Sequence, residues 1–236
     1  AFAEKSIYDI SRQTDRSSLK GMQEENVVDG VLKKFESLSL DKNAYRGVET
    51  GFRRFDQLTN GLQKSDLIVL AARPGVGKTS FSMNIVEHAA MCNHKVCAVF
   101  SLEMPRAQIV QRLLCSYANV SMAKALSGEL SAPDWKKLID AAERLKDAPI
   151  YVDDSSRTTP SEIESKCRRL KAKTGALDLI MIDYIQLRSG GDSKLAGAEN
   201  RQQEIASITR DLKIIAKELE VPVIALSQLR RMQTKE

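Results

Sequence analysis

The stretch Ala72-Arg73-Pro74-Gly75-Val76-Gly77-Lys78-Thr79 decides the fold. It follows the apolar run Leu67 to Ala72, which reads as a strand, and precedes an amphipathic segment at about Thr79–Ala90, which reads as a helix. Glycines between strand and helix let backbone N–H groups curl around phosphates, with the positive end of the helix behind them. A lysine in that position meets β- and γ-phosphates, and the hydroxyl after it reaches Mg²⁺. Each residue from Ala72 to Ser80 is therefore a candidate nucleotide contact. The usual first glycine of such a loop is Ala72 here, so the motif departs at one position while its setting is right. A glycine-rich turn with an incidental lysine is the competing reading of the same letters.

Outward from the loop, short apolar runs alternate with amphipathic helices. The runs Leu67 to Ala72, Val96 to Phe100, Ile150 to Val152, Leu177 to Asp183 and Val221 to Leu226 read as strands, most of them apolar throughout, as strands covered on both faces are. Helices are predicted at about Thr79–Ala90, Arg106–Tyr117, Asp134–Leu145, Ser161–Lys173 and Asn200–Leu219. In the last, Ile205, Ile208, Leu212, Ile215 and Leu219 recur at steps of three and four, a buried stripe. The fourth opens on Thr159-Pro160-Ser161-Glu162, a capping box with proline in the first turn. The pattern predicts an α/β fold: a mostly parallel central sheet flanked by helices, joined by right-handed crossovers.

Before this core, residues 1–45 contain no strand-like run. Ile7, Tyr8 and Ile10 suggest a short helix, and Val27, Val28, Val31, Leu32, Phe35 and Leu38 a second, amphipathic one. So little apolar surface cannot fold alone and is expected to pack on something else. The division is therefore a helical linker segment, 1–45, and an ATPase domain, 46–236.

Composition sets the outer bounds. A chain of 236 residues with 42% hydrophobic and 5% aromatic residues builds one aliphatic core. A net charge of +5 permits nucleic-acid binding without demanding it, since solvated lysines give the same number. The four cysteines, Cys92, Cys97, Cys115 and Cys167, are too scattered for a disulfide framework. No run approaches the length of a membrane-spanning helix, and Ala1-Phe2-Ala3-Glu4-Lys5 lacks the order of a signal peptide. A cytoplasmic protein is the expectation.

Three further residues complete a hydrolytic site on paper. Asp183 ends the apolar run Leu177 to Asp183, where a carboxylate beside a phosphate loop can hold Mg²⁺. Glu103, in Ser101-Leu102-Glu103-Met104, follows another strand and is placed to activate water, although capping the next helix is an equal use for it on spacing alone. Gln228, in Ser227-Gln228, ends a third strand, where its amide can sense a γ-phosphate. His88, Cys92, His94 and Cys97 crowd together too, but with irregular spacing and with Cys97 inside an apolar run. Buried or surface residues explain them better than a zinc site does.

Together these pieces resemble the DnaB family of hexameric replicative helicases. The resemblance is carried by Thr50-Gly51-Phe52 through Asp56, Gly61-Leu62-Gln63, Leu70-Ala71-Ala72-Arg73-Pro74, Ser101-Leu102-Glu103-Met104, Asp183-Tyr184-Ile185-Gln186-Leu187, Asn200-Arg201 with Glu204-Ile205, and Ala225-Leu226-Ser227-Gln228-Leu229. These run in family order over nearly all of Val48–Arg230. The family's phosphate loop is similar in beginning with alanine and arginine-proline, which accounts for Ala72.

The resemblance implies a RecA-like P-loop NTPase that uses ATP and Mg²⁺. It implies that Lys78 and Thr79 bind phosphates and metal, Asp183 holds the metal, Glu103 is the base, and Gln228 couples nucleotide state to DNA-binding loops. The first such loop would run from Arg188 to Glu199 with Lys194, near Arg201, and the second would begin at Arg230, Arg231 and Lys235. It implies single-stranded DNA as a partner, assembly into a ring hexamer or a helical filament, primase and helicase-loader partners, no membrane, and a bacterial or phage origin. Ala1–Arg12 resembles the family's linker helix, which docks on a neighbouring subunit. The family's chain continues with further strands and an arginine finger, so residues 46–236 are expected to be a C-terminally incomplete motor domain. Two other readings stay open on these residues: a RecA-like recombination ATPase, and a nucleotide-gated switch ATPase that does not bind DNA. The segment Arg188–Gln203 separates them, because only a helicase needs it basic around a channel.

Overall fold

The computed structural model describes residues 21–22, 26–41, 46–155, 158–183 and 198–229, with the side chains of 198–204 left undescribed. The chain divides into two compact units, Ala1–Tyr45 and Arg46–Glu236. In the first, α1 (Val27–Leu40) buries none of its residues, and Val27, Val28, Val31, Leu32 and Phe35 are all exposed. The amphipathic pattern thus forms a helix whose apolar stripe is left uncovered by the described residues of its own unit.

The second unit runs α2 (Arg53–Thr59), β1 (Leu67–Ala72), α3 (Lys78–Glu87), β2 (Cys97–Ser101), α4 (Arg106–Tyr117), α5 (Met122–Ser127), α6 (Ala132–Asp147), β3 (Ile150–Asp153), α7 (Pro160–Thr174), β4 (Leu179–Asp183), α8 (Ala198–Leu219) and β5 (Val223–Gln228). The strands form one sheet in the order β1-β5-β4-β2-β3, and every pairing in it is parallel. All five strands therefore end at the same edge of the sheet.

Alternation along the strands explains the three layers. Ala98, Phe100, Ile180, Ile182, Val223 and Ala225 face the stripe Ile208, Leu212, Ile215, Leu219 of α8 and Ile163, Cys167 of α7. Their neighbours Cys97, Val99, Leu179, Met181, Ile224 and Leu226 face Met83 and Val86 of α3 and Ile109 and Leu113 of α4. Successive residues of a strand point to opposite faces, so a strand apolar throughout feeds both cores. Each fully buried aliphatic side chain here contributes about 1.5–3 kcal/mol of transfer free energy. The crossovers after β1 and β2 thus cover one face, and those after β3 and β4 the other. A crevice at the strands' carboxyl ends follows from such a split.

The expected α/β sheet is the one observed, but several ends move. The predicted run Val221 to Leu226 begins as strand only at Val223 and continues to Gln228. Val221 and Pro222 are buried yet form the turn out of α8. There the Val221 N–H donates to the Ala216 carbonyl at 3.1 Å, and Glu220 takes φ 55°. Likewise Leu177 and Asp178 precede β4. The predicted helix Thr79–Ala90 starts at Lys78 and passes at His88–Cys92 into a wider π-helical turn. Both predicted capping features of α7 form, with Thr159 and Glu162 bonded reciprocally. A second capping box, Ser131 with Asp134, starts α6 two residues earlier than the periodicity suggested.

Candidate nucleotide site

The phosphate loop leaves β1 at the edge of the sheet and turns into α3. Gly75 (φ 77°) and Gly77 (φ 98°) take left-handed backbone conformations that a side chain would strain, and Gly77 caps α3. The orphan N–H groups of the first helical turn therefore open towards the loop.

Lys78 is held at the mouth of the loop: its Nζ donates to the Ala72 carbonyl at 2.9 Å. The same carbonyl accepts the Leu229 N–H at 3.1 Å, and Ala72 lies in register with Gln228. Ala72 thus fixes both the lysine and the end of β5. Thr79 Oγ1 donates to Asp183 Oδ2 at 2.8 Å, joining residues far apart in sequence. Asp183 is 3% exposed. Burial pushes its carboxyl above the usual aspartate range, the Thr79 hydrogen bond opposes that, Glu103 adds to it, and Lys78 and Arg112 oppose it.

Glu103 is placed by the turn that follows β2. Ser101 is in register with Asp183, the Leu102 N–H donates to the Asp183 carbonyl at 2.8 Å, and Ser101 Oγ closes the turn on Met104. Two carboxylates therefore stand near one another with different surroundings: Asp183 buried at a strand end, Glu103 exposed on a turn.

A cleft of about 430 Å³ gathers these groups, lined by Pro74, Gly75, Gly77, Lys78, Thr79, Ser80, Glu103, Met104, Gln108, Arg112, Asp183 and Gln228. Four different strands of the sheet deliver the loop, Glu103, Asp183 and Gln228 to one place. Ala72, Arg73 and Val76 do not line the cleft. Ala72 acts through its carbonyl, while Arg73 and Val76 are exposed side chains. Arg112 and Gln108 escaped sequence reasoning. They sit on α4 after Glu103, and Arg112 donates to Ser80 Oγ at 3.4 Å. Their spacing on one face of the helix that starts at the Glu103 turn was the available signal.

Oxygen donors of this kind suit Mg²⁺, a hard cation bound through one or two carboxylates, a hydroxyl and phosphate oxygens. The Thr79–Asp183 pair fits such an ion, since a divalent charge offsets the buried carboxylate.

The model of the DnaB-like helicase C terminal domain matches residues 47–236. The chain belongs to that family. The replicative DNA helicase DnaB of Geobacillus stearothermophilus is 43% identical over 97% of this chain and 49% of its own length. The chain spans about half the length of the curated relatives it matches. Among solved structures, a DnaB-like replicative helicase described with its interactions with primase is 30% identical, with TM-score 0.80, covering 99% of this chain and 57% of that one. A second solved structure, of an ATPase domain, is 30% identical, with TM-score 0.78, covering 89% of this chain and 73% of that one. The RecA-like fold implied by the sequence is the fold of these neighbours. As a member of this family, the chain carries a nucleotide-binding domain.

Elsewhere the expectations meet other limits. Arg188, Lys194, Arg230 and Arg231 lie outside the described residues, as does Ala1–Arg12. Arg201 lies in α8 with its side chain undescribed. In the cysteine-histidine cluster, Cys97 is buried in β2 with its thiol pushed up to about 12, chiefly by burial and then by Asp178. Cys92 is exposed, and His88 stands beside Glu49 at 3.9 Å. Among the described residues, no group of three or more His, Cys, Asp or Glu side chains is placed to hold a metal, and no helix is long and apolar enough to cross a membrane.

The family words at Thr50–Asp56 acquire a structural reason. Asp56, 4% exposed, accepts from the Thr50 N–H at 3.0 Å and from Thr50 Oγ1 at 2.7 Å. That knot aims Phe52 at Phe81 of α3, ring centroids 4.5 Å apart. The segment before β1 thus braces the helix behind the phosphates.

Proposed function

We propose that this chain is the ATP-hydrolysing motor of a replicative DNA helicase, working with Mg²⁺ and moving along single-stranded DNA as a homo-oligomeric ring or helical filament. The observation that carries the reading is the convergence of Lys78, Thr79, Glu103, Asp183 and Gln228 on one cleft at the carboxyl edge of a parallel sheet.

Each group has a role its position supports. Backbone N–H groups of the loop and Lys78 hold the β- and γ-phosphates. Thr79 and Asp183 hold Mg²⁺, which neutralises charge on the phosphates when bound. Glu103, exposed and opposite the loop, orients the attacking water and takes its proton. Gln228, tied to the loop through the Ala72 register, lies where β5 leads on to Arg230 and Arg231. A change at the γ-phosphate therefore has a short covalent path to basic groups proposed to contact DNA. Together with Arg188, Lys194 and Arg201, these would neutralise phosphates without reading bases. An arginine from a neighbouring subunit would complete the site, and primase and a loader would dock on the assembled ring. The protein would work in the cytoplasm beside the DNA it opens.

The linker segment is the assembly element of this reading. Within its own unit α1 leaves Val27, Val28, Val31, Leu32 and Phe35 uncovered, so α1 joins Ala1–Arg12 as a part proposed to cover its apolar face on another subunit.

ATPase rate of the full-length protein with and without single-stranded DNA tests the proposal. Stimulation that falls steeply with salt and ignores base sequence is expected, with Arg230→Ala and Lys194→Ala each lowering the salt slope by up to about one unit. ATPase that DNA leaves unchanged would favour the nucleotide-gated switch.

A further inference from the structure

One wall of the nucleotide cleft has no part in the roles assigned above. Ile109 and Leu113 of α4 are buried in the core beside Met83 and Val86 of α3. The residues one before each, Gln108 and Arg112, stand one helical turn apart and are thereby turned to the cleft, which both of them line. The start of α4 is tied down at two points. The Arg106 N–H donates to Asp154 Oδ2 at 2.9 Å, and Ser101 Oγ closes the preceding turn on Met104. This wall is therefore fixed to the ends of β2 and β3.

Charge in the cleft balances only with Arg112. The charged groups that line it are Lys78, Arg112, Glu103 and Asp183, two of each sign. In the nucleotide reading proposed above, on which the present inference rests, Lys78 is shared between the β- and γ-phosphates and Mg²⁺ offsets Asp183. Glu103 then faces the γ-phosphate as a like charge, and like charges at close range repel. Arg112 is the lining cation left to compensate it. Its guanidinium is uncommitted: among the described residues it makes no ion pair, and its hydrogen bond to Ser80 Oγ is a long one of 3.4 Å. Its charge nonetheless reaches the metal end of the cleft. Burial raises the Asp183 carboxyl, and Arg112 is among the charges that pull it back. A guanidinium offers five N–H donors in a planar fork that matches two phosphate oxygens, and Ser80 occupies one of them.

We infer that Arg112 is the residue by which this cleft tells a nucleoside triphosphate from a diphosphate, donating to γ-phosphate oxygens from the same chain that carries the phosphate loop. Ser80 Oγ steers it there from the first turn of α3. An arginine supplied by a neighbouring subunit needs an assembled oligomer. Arg112 stands in the cleft of its own chain, so its effect falls on binding as well as on turnover. Lysine in its place keeps the charge and loses the two-oxygen fit.

Calorimetric titration of the full-length protein with Mg²⁺-ADP, and with the Mg²⁺ complex of the non-hydrolysable β,γ-imido analogue of ATP, reads this preference directly. Arg112→Gln should weaken the triphosphate about tenfold, the loss of one bond to a charged group, and leave the diphosphate within about twofold. Arg112→Lys should recover part of the loss. An unchanged ratio of the two affinities, whether both hold or both fall together, overturns the inference. Lys78→Ala in the same titrations tests the nucleotide reading by itself. It should lose both ligands, and tight binding of either would sink that reading whatever Arg112 does. Loss of both in Lys78→Ala with an unchanged ratio in Arg112→Gln would overturn the role of Arg112 alone.

Discussion

Replacing Asp183 by asparagine should change the sign of its effect on stability when nucleotide is added. Without nucleotide, the carboxylate is a buried charge at the end of β4, 3% exposed, facing the like charge of Glu103. Asparagine keeps the shape and an oxygen to accept the Thr79 hydroxyl at 2.8 Å, and removes the charge. A carboxyl whose folded pKa is raised contributes stability below its unfolded pKa and loses it as pH rises through the folded value. At neutral pH the charge therefore weighs against the fold, and asparagine relieves it. Relief of functional strain of this kind is worth about 0.5–2 kcal/mol. At about 2–4 °C per kcal/mol for a domain of this size, the melting temperature should rise by about 1–8 °C in EDTA. With Mg²⁺-ATP at a hundred times its dissociation constant, the wild type gains about 2.7 kcal/mol by mass action. The variant, without its metal ligand, should gain little, so the order reverses. Thermal unfolding of both proteins in the two buffers reads this out. A variant less stable than wild type in EDTA would refute the electrostatic account of Asp183. Equal stabilisation of both by Mg²⁺-ATP would refute its role at the metal.

Other perturbations separate the remaining parts. Lys78→Ala should abolish tight ATP binding with the fold intact, measured by calorimetric titration. Glu103→Gln should keep nucleotide affinity and lose turnover, seen by comparing binding with steady-state ATPase, because only the base is removed. Leu212→Ala, at the fully buried centre of the α8 stripe, should cost about 2–5 kcal/mol in denaturant unfolding. Thr159→Ala should cost about 1 kcal/mol by the same assay, by breaking the capping box of α7.

Sequence by itself determined the layer architecture, because burial on both faces forces near-continuous apolar strands, and one-sided burial forces the stripe Ile208–Leu219. It also determined the phosphate loop and the strand-end carboxylate, since their chemistry permits few residue types at fixed spacing. What only the tertiary structure decided concerns partners that local sequence does not name. Val221 and Pro222 are as apolar as any strand residue, and pairing with β1, not hydrophobicity, starts β5 at Val223 and carries it to Gln228. Arg112 reads as a surface residue of an amphipathic helix until α4 is laid against α3 and its guanidinium meets Ser80. Glu87 likewise looks like an ordinary helical acid, and only the folded chain shields its Oε2 and leaves it without a hydrogen-bond partner. Spacing reports which face of an element a residue occupies. What that face meets depends on residues far along the chain, and strand order alone brings them together.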